Sequence, residues 1–202
     1  MDWERYDEKF YRKPNTVSRM ENQFFENLLK QNNLMNNKCL DFGCGQGYWS
    51  ERLALHGAHV VAVDASRKAL ANCKQCRSQT DYCLIQSGKI PKKYTDFDIV
   101  ICCWVFQEIC DDGDFLHVLS EVRRVLRDDG KLIIAENVYP DSRKLIRASN
   151  LGDIFENHST HPTSLRFFRD NSLSAILKKQ FKLLFTKKVG DSFFEIYQPI
   201  RK

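Results

Sequence analysis

The sequence predicts an α/β fold: a mostly parallel sheet of seven strands, helices on both faces, and an antiparallel hairpin at the C-terminal end. Three observations carry this. From Cys39 to Asn137, short apolar runs alternate with segments of helical periodicity, the pattern of successive βαβ units. One of those runs, "FDIVICCW", is almost wholly apolar, as a strand covered on both faces must be. Near the end, "FKLLFTKKV" and "SFFEIYQPI" are strand-like runs joined by Gly190-Asp191, a hairpin-turn signal.

Taken in order, the elements are these. Ser18 and Glu21 stand at capping-box spacing, and Met20, Phe24, Phe25, Leu28 and Leu29 follow at helical spacing, so a helix is expected from about Ser18 to Lys30. Upstream, Trp3, Tyr6, Phe10 and Tyr11 form an aromatic arm ahead of Pro14, expected either to close over a site or to pack on the sheet edge. Cys39 to Phe42 is the first strand and Tyr48 to His56 the first helix of the alternating region. "HVVAVD" is the second strand and closes on Asp64. Ser66 then caps a helix expected to reach Cys76. "DYCLIQ" is the third strand and "FDIVICCW" the fourth. Asp112 or Asp114 opens a helix through Leu126, with Phe115, Leu119 and Val122 on its apolar face. "DDG" ends it and "KLIIAEN" is the fifth strand. A helix around Ser172 to Lys179 precedes the hairpin.

At 202 residues the chain has the length of one domain, 1–202. It divides into an N-terminal arm and helix (1–35), a core (38–137), and a connection with the closing strands (138–202). Hydrophobic residues make up 43% and charged residues 28%, which is ordinary for a soluble globular protein. No apolar run approaches the roughly 18 residues of a membrane span. The charged start, "MDWERYDEKF", lacks the apolar core of a signal peptide, so a cytoplasmic protein without a membrane partner is expected. A formal charge of +5 favours an anionic ligand only mildly and is too small to argue for nucleic acid. The lysines at 178, 179, 182, 187 and 188 read as a solvated surface. Eight cysteines do not make a disulfide scaffold in a chain of this kind, because several lie in apolar runs, as small buried hydrophobes do. Cys73 and Cys76 form one CxxC without a second, which leaves a structural zinc site short of ligands, and no metal is expected.

The loop "GCGQG", Gly43 to Gly47, lies between the first strand and the first helix of the alternating region. In an open α/β sheet this is where ligands bind, at the carboxyl ends of the strands. The following helix start offers amide donors and a positive dipole end. Asp64 ends the next strand, where a carboxylate can accept both hydroxyls of a ribose. A dinucleotide fingerprint wants GxGxxG, but Tyr48 occupies the place of its last glycine, which disfavours a dehydrogenase.

These segments resemble the class I S-adenosylmethionine-dependent methyltransferases, a Rossmann-like family. "LDFGCGQG" is similar to their first motif and "VVAVDAS" to their acidic ribose-binding motif. "FDIVICCWVFQEI" and "LSEVRRVLRDDGKLIIAEN" resemble their fourth- and fifth-strand regions. The resemblance runs from about Cys39 to Asn137 and implies S-adenosyl-L-methionine as cofactor, with 38–137 as the cofactor-binding core. It implies that Asp41, Gly43, Cys44, Gly45 and Gly47 line the amino-acid end and backbone of the cofactor, and that Asp64, with Ala65 and Ser66 beside it, holds the ribose. Gln86 or Ser87 takes the place where the family often has an acidic adenine contact. Cys103 and Trp104 would sit under the cofactor.

Methyl transfer from a sulfonium is an in-line displacement in which positioning does much of the catalysis. A base is needed only if the nucleophile arrives protonated. Candidates on the acceptor side follow the fourth and fifth strands: Phe106, Gln107 and Glu108, then Glu136, Asn137 and Tyr139. Glu108 or Glu136 can orient or deprotonate an amine or hydroxyl. His158 and His161, in the polar stretch "ENHSTHPTS", are further candidate bases. The place of the "(D/N)PP(Y/F)" motif of base-amine methylating relatives reads "CWVF", and no "PC" nucleophile for cytosine is present. A small-molecule acceptor is therefore expected, with oxygen, nitrogen and sulfur all open. Asn137 also matches an amine-binding asparagine of protein N-terminal methyltransferases, which makes that activity an alternative. A catalytically inactive cofactor-binding or scaffolding subunit is another.

Overall fold

The computed structural model describes residues 18–73, 80–139, 144–156, 164–169 and 172–201. The first helix, α1 (Arg19–Gln31), starts at Ser18 through a complete capping box. Ser18 Oγ accepts from the Glu21 amide at 3.2 Å, and the Ser18 amide donates to the Glu21 carboxylate at 2.9 Å. The alternating region follows as β1 (Lys38–Phe42), α2 (Tyr48–Leu55), β2 (His59–Asp64), α3 (Arg67–Cys73), β3 (Asp81–Leu84), β4 (Phe97–Cys103), α4 (Asp112–Val125) and β5 (Leu126–Asn137). A single 3₁₀ turn, Phe106–Glu108, lies between β4 and α4. Three short strands, β6 (Leu145–Arg147), β7 (Asp153–Phe155) and β8 (Leu165–Phe167), precede α5 (Ser172–Leu177) and the hairpin β9 (Phe181–Val189) and β10 (Ser192–Pro199).

Seven strands form one sheet in the order β3-β2-β1-β4-β5-β10-β9. The first five run parallel, and β10 runs antiparallel to both β5 and β9. Chain order reverses between β1 and β4, so the carboxyl ends of these two strands frame a crevice. Side-chain alternation along β4 explains the coverage of both faces. Val100 and Cys102 pack towards Phe115, Leu119 and Val122 of α4, whereas Ile99 and Ile101 pack towards Phe25 and Leu29 of α1 and Leu53 of α2. Burying each such side chain contributes about 1.5–3 kcal/mol. On the edge strand β9, Lys182, Lys187 and Lys188 are exposed, and charged edges discourage pairing with other chains.

Several boundaries differ from the sequence expectation. α4 is capped by Asp111, whose carboxylate accepts from the Asp114 amide at 2.9 Å. That helix stops at Val125, because Leu126 is extended and already pairs with Phe97 of β4. "DDG" is therefore a bulge within β5: the next paired residue, Lys131, faces Ile99. β3 ends at Leu84, after which the Gln86 carbonyl accepts from the Lys89 amide at 3.0 Å. Cys73 ends α3, and the expected continuation to Cys76 lies outside the described residues. The aromatic arm also lies outside them.

The antiparallel sheet β6-β7-β8 has no counterpart in the sequence reading. Arg166 holds it down. Its fully buried guanidinium donates to the carbonyls of Ile109 (2.7 Å), Cys110 (3.0 Å) and Leu151 (2.5 Å) and pairs with Asp112 at 2.8 Å. The small sheet is thereby fixed to the segment that follows the 3₁₀ turn, beside the carboxyl ends of β4 and β5.

Candidate functional site

The Gly43–Gly47 loop crosses the crevice from β1 to α2. The amides of Gly43 and Cys44 both donate to the Val63 carbonyl, at 2.8 and 3.1 Å, which stitches the loop to the end of β2. Gly43 and Gly47 have φ of +72° and +79°, in the left-handed region that favours glycine. A Cβ at Gly43 would lie 2.5 Å from Val105 Cγ2, and one at Gly47 2.7 Å from the Tyr82 hydroxyl. Both positions thus exclude a side chain by conformation and by space. Gly47 also serves as the N-cap of α2 and offers no side chain to the first-turn amides.

Asp64, buried at the end of β2, closes the other side. One carboxylate oxygen accepts from the Gly45 amide and the other from the Ser66 amide, each at 2.8 Å. The Ser66 hydroxyl is committed to capping α3, accepting from the Ala69 amide at 3.0 Å. Asp41 lies beneath the loop and is buried. It accepts from Ser50 Oγ at 2.5 Å. Burial pushes its pKa up to about 7; the Ser50 bond works against that rise and the nearby Asp64 charge adds to it. Two carboxylates under one glycine loop give the crevice a negative floor, suited to a cationic or hydroxyl-bearing ligand. Among the described residues, no group of three or more His, Cys, Asp or Glu side chains could hold a metal ion.

The carboxyl ends of β4 and β5 are tied together by Glu136. Its carboxylate is fully buried and accepts from the amides of Val105 (3.1 Å), Phe106 (2.7 Å) and Gln107 (3.2 Å). Burial drives its pKa upward, and the three amide donors oppose that. Gln107 reaches both ways, accepting from the Asn137 amide at 3.3 Å and donating to Glu108 at 3.5 Å. Glu108 and Asn137 therefore share one corner of the site. Trp104 stands at the end of β4 with φ +57°, and its indole donates to Ser192 Oγ at 3.1 Å. Cys103 is half-buried on the same face as Trp104. Tyr139 donates to the buried Asp153 at 2.7 Å, as does Arg169 Nε at 2.7 Å. The phenol is thus committed to the small sheet.

The structure brings together Asp41, Gly43, Cys44, Gly45, Gly47, Asp64, Ala65 and Ser66. It places Cys103 at the end of the adjoining β4 and Trp104 directly after it. Gln86 and Ser87 are exposed in the turn after β3, whose Ile85 amide donates to the Asp64 carbonyl at 2.9 Å. His158 and His161 lie outside the described residues. The sequence reading missed Ser50, Val105 and Cys73, which meet the loop only through tertiary packing. It also missed Trp49, whose buried Nε1 has no hydrogen-bond partner among the described residues and whose ring stacks 6.3 Å from that of Trp104. No local pattern marks Ser50, Val105 or Trp49, and the CxxC that contains Cys73 does not announce its contact with the loop.

With this geometry in hand, comparison with known proteins is direct. Residues 40–134 match the family described as "Methyltransferase domain". A mitochondrial ubiquinone biosynthesis O-methyltransferase of Schizosaccharomyces pombe is 33% identical over 159 residues, covering 71% of this chain and 54% of the relative. A ubiquinone biosynthesis O-methyltransferase of Pelagibacter ubique is 33% identical over 106 residues, covering 50% of this chain and 42% of the relative. The chain thus spans about half the length of these curated relatives. Among solved structures, the PH0226 protein of Pyrococcus horikoshii OT3 superposes with a TM-score of 0.71 at 24% identity, covering 92% of this chain and 94% of that one. The 1,6-didemethyltoxoflavin-N1-methyltransferase of Burkholderia thailandensis, solved with S-adenosylhomocysteine, superposes with a TM-score of 0.68 at 15% identity, covering 87% and 76%. Residues 40–134, which carry β1 to β5 and the glycine loop, are thus similar to the methyltransferase domain, and the sheet order is that of solved S-adenosylmethionine-dependent methyltransferases.

Proposed function

We propose that this chain is an S-adenosylmethionine-dependent methyltransferase acting on a small molecule, with a hydroxyl oxygen as the favoured acceptor. The observation that carries the reading is the glycine loop whose Gly45 amide is bonded to the buried Asp64. The residues present fit the cofactor. Asp64 is placed for ribose hydroxyls, and the first-turn amides of α2 for a carboxylate. The negative floor formed by Asp41 and Asp64 suits an ammonium and a sulfonium. Gln86 and Ser87 take the adenine side, and Cys103 and Trp104 the wall beneath. The bound cofactor supplies an electrophilic methyl group.

In this reading residues 38–137 hold the cofactor and residues 138–202 supply the acceptor side and the closing strands. Glu108 accepts the proton of the incoming hydroxyl, and Asn137 orients that group. Glu136 is unsuited to the proton because its oxygens hold three amides. His158 or His161 is the alternative base. The hydroxyl preference rests on the relatives named ubiquinone biosynthesis O-methyltransferase.

The test is a methyl-transfer assay with labelled S-adenosylmethionine and a panel of phenols, alcohols, thiols, amines and peptides with free N-termini. Transfer to a phenol or alcohol is expected, and Glu108→Gln should lower kcat more than it raises KM. Transfer only to peptide N-termini would replace the small-molecule assignment. Cofactor binding without transfer to any acceptor would favour a binding subunit.

A further inference from the structure

Cys44 in the glycine loop and Cys73 at the end of α3 are 29 positions apart in sequence, yet the fold brings their thiols to one place. Both converge on one carbonyl: Cys73 Sγ is 3.2 Å from the Gly45 oxygen and Cys44 Sγ is 3.7 Å from it. Cys73 Sγ also lies 3.2 Å from where a Cβ on Gly47 would stand. Both side chains are buried, and both are free thiols. The pair joins the two segments that flank Asp64.

We propose that Cys44 and Cys73 form a dithiol site that a peroxide oxidises to a disulfide, and that this disulfide weakens cofactor binding. The second half rests on the reading of the Gly43–Gly47 loop as the cofactor loop. The chemistry balances in two steps. One thiol attacks a peroxide oxygen, giving a sulfenic acid and water. The other thiol then displaces the sulfenic hydroxyl, forming the S–S bond and releasing a second water. Two thiols lose two electrons and the peroxide gains them.

A disulfide needs its sulfurs about 2.05 Å apart, closer than two thiols that meet at one carbonyl oxygen. Closing that gap moves Cys44, and with it the neighbouring amides of Gly43 and Gly45. Those amides are bonded to Val63 and Asp64. The displacement therefore falls on the loop that faces the cofactor. The neighbouring Cys73 and burial, with the charges of Asp41 and Asp64, raise the Cys44 pKa, so its thiol stays protonated and slow to react while the loop is closed. Oxidation thus proceeds through an open loop, and a loop held shut by bound ligand is protected.

The experiment treats the full chain with hydrogen peroxide, with and without S-adenosylhomocysteine. It maps the disulfides in unreduced peptides and titrates S-adenosylhomocysteine before oxidation, after it, and after dithiothreitol. The expected results are a Cys44–Cys73 disulfide, at least a tenfold loss of affinity restored by dithiothreitol, and slower oxidation when the ligand is present. Cys73→Ser and Cys73→Ala should both abolish the loss, and Cys76→Ser should retain it. A map showing Cys73 joined to Cys76, or no disulfide, would overturn the proposal. Unchanged affinity in the disulfide form would overturn its coupling to cofactor. Failure of the reduced protein to bind S-adenosylhomocysteine would instead sink the cofactor reading, while the peptide map still decides whether the disulfide forms.

Discussion

Gly43 and Glu136 show most plainly how single residues set the site. A side chain at Gly43 meets both a left-handed backbone and Val105 at 2.5 Å. The backbone strain alone costs about 1–2 kcal/mol. Gly43→Ala is expected to lower stability by at least that much in chemical denaturation, because Val105 must also move. Glu136→Gln puts an amide NH₂ where a carboxylate oxygen now accepts from a backbone amide. One buried donor then lacks an acceptor, and a stability loss of about 1–3 kcal/mol is expected in the same assay. An unchanged midpoint would argue that Glu136 does not hold the β4–β5 ends. At this scale the sequence was partly legible. Asp64 could be paired with the glycines because each ends or follows a strand of adjacent βαβ units. The Asp41–Ser50 bond and the convergence of Cys44 and Cys73 on the Gly45 carbonyl could not be, since a loop and a helix face meet there with no fixed spacing to announce it.

The elements follow the same division. The strands of the large sheet, the capping box of α1 and the closing hairpin were legible, because long apolar runs and cap residues act locally. The small sheet was not, because three-residue strands carry no periodicity; it exists because Arg166 finds four carbonyls and Asp112 in one place. Asp-Asp-Gly has the composition of a connecting turn, yet β4 offers Phe97 as a partner to Leu126 before it and the segment bulges instead. Arg166→Met tests the small sheet directly. Removing one partner of a buried pair costs about 3–5 kcal/mol, and the lower end is expected here because Asp112 keeps Arg147 at 2.8 Å. Thermal unfolding checks the loss. A variant as stable as the parent would show that the small sheet is not held through this side chain.

For the whole molecule, Asp41 and Asp112 pull stability in opposite directions with pH. Asp41 titrates near 7 in the folded chain and near 3.8 when unfolded. The folded state therefore binds the proton more tightly. Its contribution is fully present below about 3.8 and is lost as pH rises towards 7, with a slope of up to about 1.4 kcal/mol per pH unit. Arg147 and Arg166 hold Asp112 well below the usual carboxylate range, so its contribution is present above 3.8 and is lost as pH falls. Urea denaturation between pH 4 and 7 should show the first slope, and Asp41→Asn, which cannot ionise, should reduce it, leaving the part due to Glu136. A variant with an unchanged slope would place the effect elsewhere.

The most direct test of the cofactor assignment is calorimetric titration of the protein and its Asp64→Ala variant with S-adenosylhomocysteine, using NAD as the control. Binding of S-adenosylhomocysteine and not NAD is expected, weakened in the variant by about 1.5–3 kcal/mol, as for hydrogen bonds to a charged group. Preferential binding of NAD, or equal affinity of parent and variant for S-adenosylhomocysteine, would contradict it.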